Sequence, residues 1–175
     1  MAYTLKHRAP STIASKYSDR KQRIHDFLSQ TAIGVLSTVN PDGEPHGVVI
    51  YFNINADFGI TFLTRSGTRK YDNLKHHNHL MLTVFDVVTQ TTAQITGRAV
   101  EITDSYEINQ VAASMLAISL KISEPGLPPI TKLEAGDYVA FTIQPVQIRM
   151  AVYARPDPGE YTELFESIES FEFSQ

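Results

Sequence analysis

Short runs of β-branched and aromatic residues, divided by tight turns, dominate the first half of the chain. Three such runs, at 32–39, 46–54 and 60–63, are separated by segments rich in Asn, Asp, Pro and Gly. Strands joined by turns this short must be antiparallel, because a parallel pair needs a crossover of about a dozen or more residues. No alternation of strands and helices typical of a parallel sheet is present. The sequence therefore predicts an antiparallel meander.

The same pattern continues towards the C-terminus. Gly97 interrupts one of the later runs and predicts a β-bulge or a close backbone approach, and Pro145 is expected to separate the last two strands. Six or seven strands with few helices predict a mainly β fold, an antiparallel split barrel with flanking helices. The later strands are predicted at 79–88, 91–102, 138–143 and 146–153, and the helices at 19–30, 71–76 and 104–116.

The length of 175 residues fits one domain, since chains usually divide only beyond about 250 residues. The two ends of the sequence carry opposite net charges. Residues 1–25 carry six bases and one acid, whereas residues 156–175 carry six acids and no base. We therefore expect a basic N-terminal arm at 1–18, a barrel domain at 19–155 and a separate acidic segment at 156–175.

The acidic segment combines its charges with regularly spaced large apolar side chains. The spacing fits one face of an amphipathic helix, with glutamates at the other angles. We predict that this C-terminal helix packs on its own barrel or on a dimer partner. Its apolar positions are Tyr161, Leu164, Phe165, Ile168 and Phe171.

Composition excludes several classes of chemistry. The chain has no Cys, which removes disulfides, thiolate nucleophiles, Cys-ligated zinc and iron–sulfur clusters. The net charge of −4 argues against a nucleic-acid partner despite the basic start. We see neither a signal peptide nor a membrane-length apolar run, so a cytoplasmic protein that does not bind membranes is expected. Any redox chemistry requires a bound cofactor.

A cationic segment at 64–70 carries the most functional information. It follows a predicted strand, contains a glycine and precedes a predicted helix. The backbone N–H groups at the helix start and the helix dipole therefore favour an anion there. Arg and Lys side chains supply charge, and hydroxyls supply further donors. A phosphate monoester fits such a set, although a solvated turn fits the local composition as well. The candidate ligands from local composition are Arg65, Ser66, Thr68, Arg69 and Lys70.

The order strand, turn, strand, then Thr-x-x-x-Thr-Arg-Lys and a short helix, resembles the pyridoxamine 5′-phosphate oxidase-like FMN-binding split barrels over about residues 20–150. The resemblance implies that Thr68, Arg69 and Lys70 bind the FMN phosphate, with Thr64 at the end of the preceding strand. It also implies a homodimer with the flavin at the interface. Thr92 or Gln94 would then contact the flavin bound to the partner subunit, although a surface-facing strand position fits these residues as well.

In that family the second strand lies along the flavin ring. The resemblance places Val48, Val49 and Ile50 at the ring, although the same residues fit a barrel core, and alternate residues can do both. True pyridoxamine 5′-phosphate oxidases end in a motif with Trp and Arg that helps bind the substrate. This chain has no Trp, so relatives similar to general stress proteins are a better match than a vitamin B6 oxidase.

Three hypotheses follow. The first is an FMN-dependent oxidoreductase acting on an undefined small molecule, for which no catalytic residue can be named. The second keeps the fold and uses an 8-hydroxy-deazaflavin, whose longer anionic tail needs more cations than this segment offers. The third is a flavin- or haem-binding module without turnover, for which His76, His77 and His79 are candidate haem ligands. No metal-ion site is expected from these histidines, because neighbouring side chains in a turn diverge.

Overall fold

A computed structural model describes residues 20–122, 138–155 and 163–173. The predicted basic arm at 1–18 lies outside the described residues. The described residues form three helices and eight strands. The helices are α1 (Arg20–Thr31), α2 (Arg69–His76) and α3 (Ser105–Ile122). The strands are β1 (Ile33–Val39), β2 (Pro45–Tyr51), β3 (Asn53–Ile54), β4 (Ile60–Arg65), β5 (His79–Asp86), β6 (Thr91–Ile102), β7 (Tyr138–Tyr153) and β8 (Phe165–Glu172).

All strands belong to one antiparallel sheet, in the order β2-β1-β5-β6-β7-β4-β3, with β8 added beside the second half of β7. The sheet curls, since β2 and β4 contact each other although four strands lie between them in this order. The predicted mainly β split barrel with flanking helices is confirmed. One predicted strand is divided into β2 and β3, two are merged into β7, and β8 was not predicted as a strand.

The inner face of the barrel forms the main core. Strand residues alternate between buried and exposed positions, as in β1, where Leu36 is buried between exposed or half-buried neighbours. Ile24 and Leu28 of α1 and Leu74 of α2 complete this core from the helices. α3 packs on the outside, where it covers β2, β4 and β7.

Gly97 marks the point where β7 changes register, and the bulge predicted there is confirmed. Thr96 pairs with Gln147 whereas Gly97 pairs with Pro145, so Val146 is the extra residue of β7. A Cβ atom at Gly97 would lie 2.6 Å from the carbonyl oxygen of Gln144, which explains the need for glycine. The predicted break at Pro145 is wrong, because the bulge absorbs the proline and β7 continues through it.

The predicted C-terminal helix is wrong for the residues that the structure describes there. Phe165–Glu172 is strand β8, paired with β7, and the more sheltered residues alternate with exposed ones. Phe171 and Phe173 pack against the core, while Ile168 lies on the outer side. The second half of β7 would otherwise be an unpaired edge, and pairing with it decides the conformation of this segment. Tyr161 lies outside the described residues.

No helix among the described residues is long and apolar enough to span a bilayer.

Candidate functional site

A tight turn shapes the candidate anion site between β4 and α2. The Thr68 N–H bonds to the carbonyl oxygen of Arg65 at 3.4 Å, and Gly67 has a φ of +72°. A positive φ at the third position of such a turn favours glycine. The turn therefore places Arg65 and Ser66 on the exposed side of the chain just before the helix begins.

The first turn of α2 leaves its backbone donors available. Thr68 is the N-cap residue, but its side chain does not cap the helix. Its Oγ1 instead donates to the Arg65 carbonyl oxygen at 2.8 Å and lies 3.0 Å from the Oγ1 of buried Thr64. The N–H groups at the start of a helix have no intrahelical acceptor. They remain free to bind an anion, together with the positive end of the helix dipole.

Three cations surround this helix start. Arg65 and Arg69 are exposed, and Lys70 is half-buried. Burial lowers the pKa of Lys70 from its ordinary value. The two ion pairs in the described part of the chain, Arg23–Glu169 and Lys75–Glu101, involve none of the three. The three cations therefore lie together without a carboxylate at ion-pair distance among the described residues.

A buried hydrogen bond holds α2 against the barrel. Asn73 Nδ2 donates to Thr38 Oγ1 of β1 at 2.9 Å, and both side chains are buried. Lys70 lies three residues before Asn73 and shares its side of the helix. Thr38 pairs in turn with His46 on β2. The Nδ1 atom of half-buried His46 is itself buried and has no hydrogen-bond partner among the described residues, which is rare for a buried polar atom.

The start of β2 and the end of β4 lie at the same end of the barrel. Tyr51 and Leu63 join one apolar cluster beneath α3. Five successive antiparallel pairings separate β2 from β4 in the sheet, so the two strands run in opposite directions. Val49 comes two residues before Tyr51, and Arg65 comes two residues after Leu63. In antiparallel strands both steps lead towards the same end of the barrel. The cationic turn therefore lies at the same end of the barrel as the start of β2.

The three apolar residues predicted to line a flavin ring do not share a face. Val49 lies on the outer face with 65% of its surface exposed, whereas Ile50 is buried and Val48 half-buried in the main core. Val49 is therefore the residue of the three whose side chain is open to a ligand. Ile50 and Val48 fill the barrel.

The outer face also carries the predicted partner-side residues. Gln94 is exposed, and half-buried Thr92 donates through Oγ1 to the Val84 carbonyl oxygen at 3.2 Å. Register places Val49, Val35, Thr83 and Gln94 in one row across β2, β1, β5 and β6. Three strand spacings, about 14 Å, thus separate Val49 from Gln94 in one chain.

The three histidines lie apart from this arrangement. His76, His77 and His79 are exposed, and the rings of His77 and His79 meet edge to face at 4.7 Å. Among the described residues no cluster of three metal-ligating side chains was found.

The structure brings together Thr64, Arg65, Ser66, Thr68, Arg69 and Lys70, and Val49 lies on the outer face of β2, a strand that contacts β4. Sequence reasoning missed the side chains of Thr38, Asn73 and His46. The short turn after β1 fixes the pairing of Thr38 with His46, so the hairpin itself could have indicated that pair. Nothing in the local sequence indicates that Asn73 reaches Thr38, 35 positions away.

Residues 21–151 match the family model described as pyridoxamine 5′-phosphate oxidase. The match spans well over half of the chain, and the protein belongs to this family. No curated protein matches the sequence.

Solved structures share the fold at low sequence identity. General Stress Protein 26 from Bacillus anthracis is 22% identical with a TM-score of 0.57, and the match covers 74% of this chain and 92% of that one. A heme binding protein from Mycobacterium smegmatis is 12% identical with a TM-score of 0.63, covering 88% and 58%. A structure named F420 reductase is 18% identical with a TM-score of 0.55, covering 71% and 94%. At these identities the likeness concerns the fold.

Proposed function

We propose that this protein binds FMN and acts as an FMN-dependent oxidoreductase on a small molecule, as a cytoplasmic homodimer with flavin at the interface. The observation that carries the proposal is the half-buried Lys70, which lies at a helix start beside two arginines and has no acid partner among the described residues. Partial loss of water around an ammonium that has no counter-ion is unfavourable. A bound phosphate removes that cost.

The donors at this site fit the phosphate of FMN. Arg65 and Arg69 offer planar forks and Lys70 a point charge, while the first N–H groups of α2 point beyond the helix. The hydroxyls of Thr64 and Thr68 hydrogen-bond to each other, and Thr68 also donates to the Arg65 carbonyl oxygen. These two residues therefore stabilise the turn more than they bind the ligand. The Nδ1 of His46, which has no hydrogen-bond partner in the part of the chain that the structure describes, is a further polar atom at this end of β2.

The outer face of β2 fits the flavin ring. Val49 presents an apolar surface next to the cationic turn, and exposed apolar residues rarely cluster without a partner. When bound, FMN supplies hydride transfer. The chain orients the ring against β2, holds its phosphate and excludes water from one side.

A homodimer explains the rest of the outer face. Its exposed apolar residues lie on three adjacent strands, β2, β1 and β5, and form a continuous patch that we call the outer patch. Within one chain Gln94 lies about 14 Å from Val49. In the proposed dimer, Gln94 of one subunit therefore contacts the flavin ring that lies on Val49 of the other subunit. The outer patch consists of Val35, Val39, Val49, Met81 and Phe85.

The absorption spectrum of the freshly purified protein tests the proposal. We expect a flavin spectrum and release of FMN, identified by mass, after denaturation. A Soret band would replace the proposal with haem binding, and release of an 8-hydroxy-deazaflavin would replace it with the deazaflavin alternative. Oxidation of NAD(P)H by the yellow protein would distinguish an enzyme from a flavin store.

A double variant tests the phosphate site. Arg69→Ala with Lys70→Ala should weaken FMN binding by about 100-fold, since charge-assisted hydrogen bonds are lost. The matched control replaces two exposed cations elsewhere, Arg20→Ala with Lys121→Ala, and changes the net charge equally. Equal FMN affinity of the two double variants would contradict the assignment.

A further inference from the structure

Arg149 lies beside Gln94 on the outer face of the sheet. We propose that Arg149 holds an anionic group of the substrate, a carboxylate or a phosphate, at the flavin bound to the partner subunit. This inference rests on the proposed function, because it requires FMN at the dimer interface.

Register places the two side chains together. Gln94 of β6 and Arg149 of β7 are directly paired, and residues paired in this way have Cα atoms about 4.5–5.5 Å apart. Both are exposed and continue the row that begins at Val49. If Gln94 contacts the flavin bound to the partner subunit, Arg149 lies beside the same flavin.

Arg149 has no counter-ion in the described part of the chain. Its other cross-strand partner on β8 is Ser170, which is uncharged. The diagonal neighbour Glu172 accepts a hydrogen bond from Gln147 at 3.2 Å instead. The guanidinium of Arg149 is therefore available to bind an anion.

Dimer formation makes that anion necessary. A second copy that covers Gln94 also covers Arg149 beside it, and a guanidinium taken out of water is costly unless it is paired. The phosphate of FMN lies on the cationic turn of the other subunit, so a different anion must pair with Arg149. A substrate carboxylate or phosphate meets the planar fork of Arg149 with two parallel hydrogen bonds.

Titration of the FMN-loaded protein with inorganic phosphate tests the inference, with the flavin absorption spectrum as the readout. We expect a saturable spectral change in the wild type and a dissociation constant about tenfold higher in Arg149→Gln. Arg98→Gln is the matched control, because Arg98 is exposed on β6 four residues from Gln94, about 13 Å along the strand. It should titrate like the wild type.

Several outcomes would overturn the inference. These are a wild type without a saturable change, an Arg149→Gln variant that titrates normally, and an Arg149→Gln variant that dissociates into monomers. The last would assign Arg149 to the interface itself. FMN content is measured separately for each sample. A wild type without FMN refutes the proposed function, whereas a normal FMN content with an unchanged titration refutes the role of Arg149 alone.

Mixed dimers test whether Arg149 acts across the interface. One subunit carries Arg149→Gln, and the other carries Arg69→Ala with Lys70→Ala. The site with an intact cationic turn then receives Arg149 from the other subunit, so its flavin should regain the wild-type phosphate titration. Failure of mixing to restore the titration would show that Arg149 acts within its own chain and would overturn the proposal.

Discussion

Asn73 donates a buried hydrogen bond of 2.9 Å to Thr38 and thereby fixes the helix of the cationic site to strand β1. Replacing Thr38 by Val keeps the shape but leaves the amide donor of Asn73 unpaired. We expect the free energy of unfolding to fall by about 1–3 kcal/mol and FMN binding to weaken, because α2 loses its anchor. Urea denaturation and FMN titration measure the two effects.

Thr142→Val is the control for this substitution. Thr142 is a half-buried strand threonine on β7 for which no side-chain hydrogen bond was found in the described part of the chain. Its replacement should change stability by about 0.5 kcal/mol or less. Equal effects of the two variants would show that the Asn73–Thr38 bond contributes nothing specific.

Gly97→Ala should destabilise the fold. The new Cβ would meet the Gln144 carbonyl oxygen at 2.6 Å, and a backbone atom cannot move aside as a flexible side chain can. Overpacking of this kind costs about 1–3 kcal/mol. Gly47→Ala is the control, since its nearest neighbour is a Val35 methyl carbon at 3.6 Å. Thermal unfolding compares the two variants, and equal melting temperatures would contradict the tight approach at the bulge.

The strands were predictable because short-range chemistry determines them. Turn residues and β-branched runs locate β1, and Thr91–Ile102 agrees with its predicted limits. Gly97 could be recognised as a bulge because a glycine inside a strand has few other uses. The antiparallel order follows from the short turns.

The C-terminal segment could not be predicted locally, because its sequence fits two periods. Leu164, Phe165 and Ile168 fit a helical face, but Phe165, Phe171 and Phe173 also lie on one side of a strand. The choice depends on the unpaired edge of β7, which is a property of the assembled sheet. Arg23 of α1 and Glu169 of β8 then form an ion pair that ties the strand to the helix.

The candidate site was likewise predictable from the sequence only in part. The cationic turn at 64–70 was evident from residue types and order. That Val49 faces outwards while Ile50 is buried depends on strand register, and a shift of one residue would exchange them. The buried Nδ1 of His46 depends on packing between distant elements, which no local pattern reports.

Lys70→Met should have opposite effects on stability and on FMN binding. Burial lowers the pKa of Lys70, so the folded protein binds the proton less tightly than the unfolded chain. The resulting destabilisation is fully present below the folded pKa and disappears as the pH rises past the unfolded pKa. Removing the amine should therefore stabilise the FMN-free protein at pH 7. It should also weaken FMN binding by about tenfold or more.

Lys75→Met is the control on the same helix. The hydrogen bond with Glu101 raises the pKa of Lys75, so this lysine stabilises the folded state below its unfolded pKa. Its replacement should lower stability slightly and leave FMN affinity unchanged. Chemical denaturation at pH 7 and FMN fluorescence titration compare the variants. A Lys70→Met protein that is less stable and binds FMN normally would contradict the assigned role.

Val35→Glu tests whether the outer patch is the dimer interface. Val35 lies between Val49 and Thr83 on adjacent strands, at 41% exposure, so a carboxylate there would be buried in the dimer without a partner. We expect the dimer dissociation constant to rise by about 100-fold, as measured by sedimentation equilibrium. Tyr106→Glu is the control, because Tyr106 is 72% exposed on α3, outside the patch. A wild type that sediments as a monomer, or equal dissociation constants for the two variants, would show that copies of this chain do not pair through the outer patch.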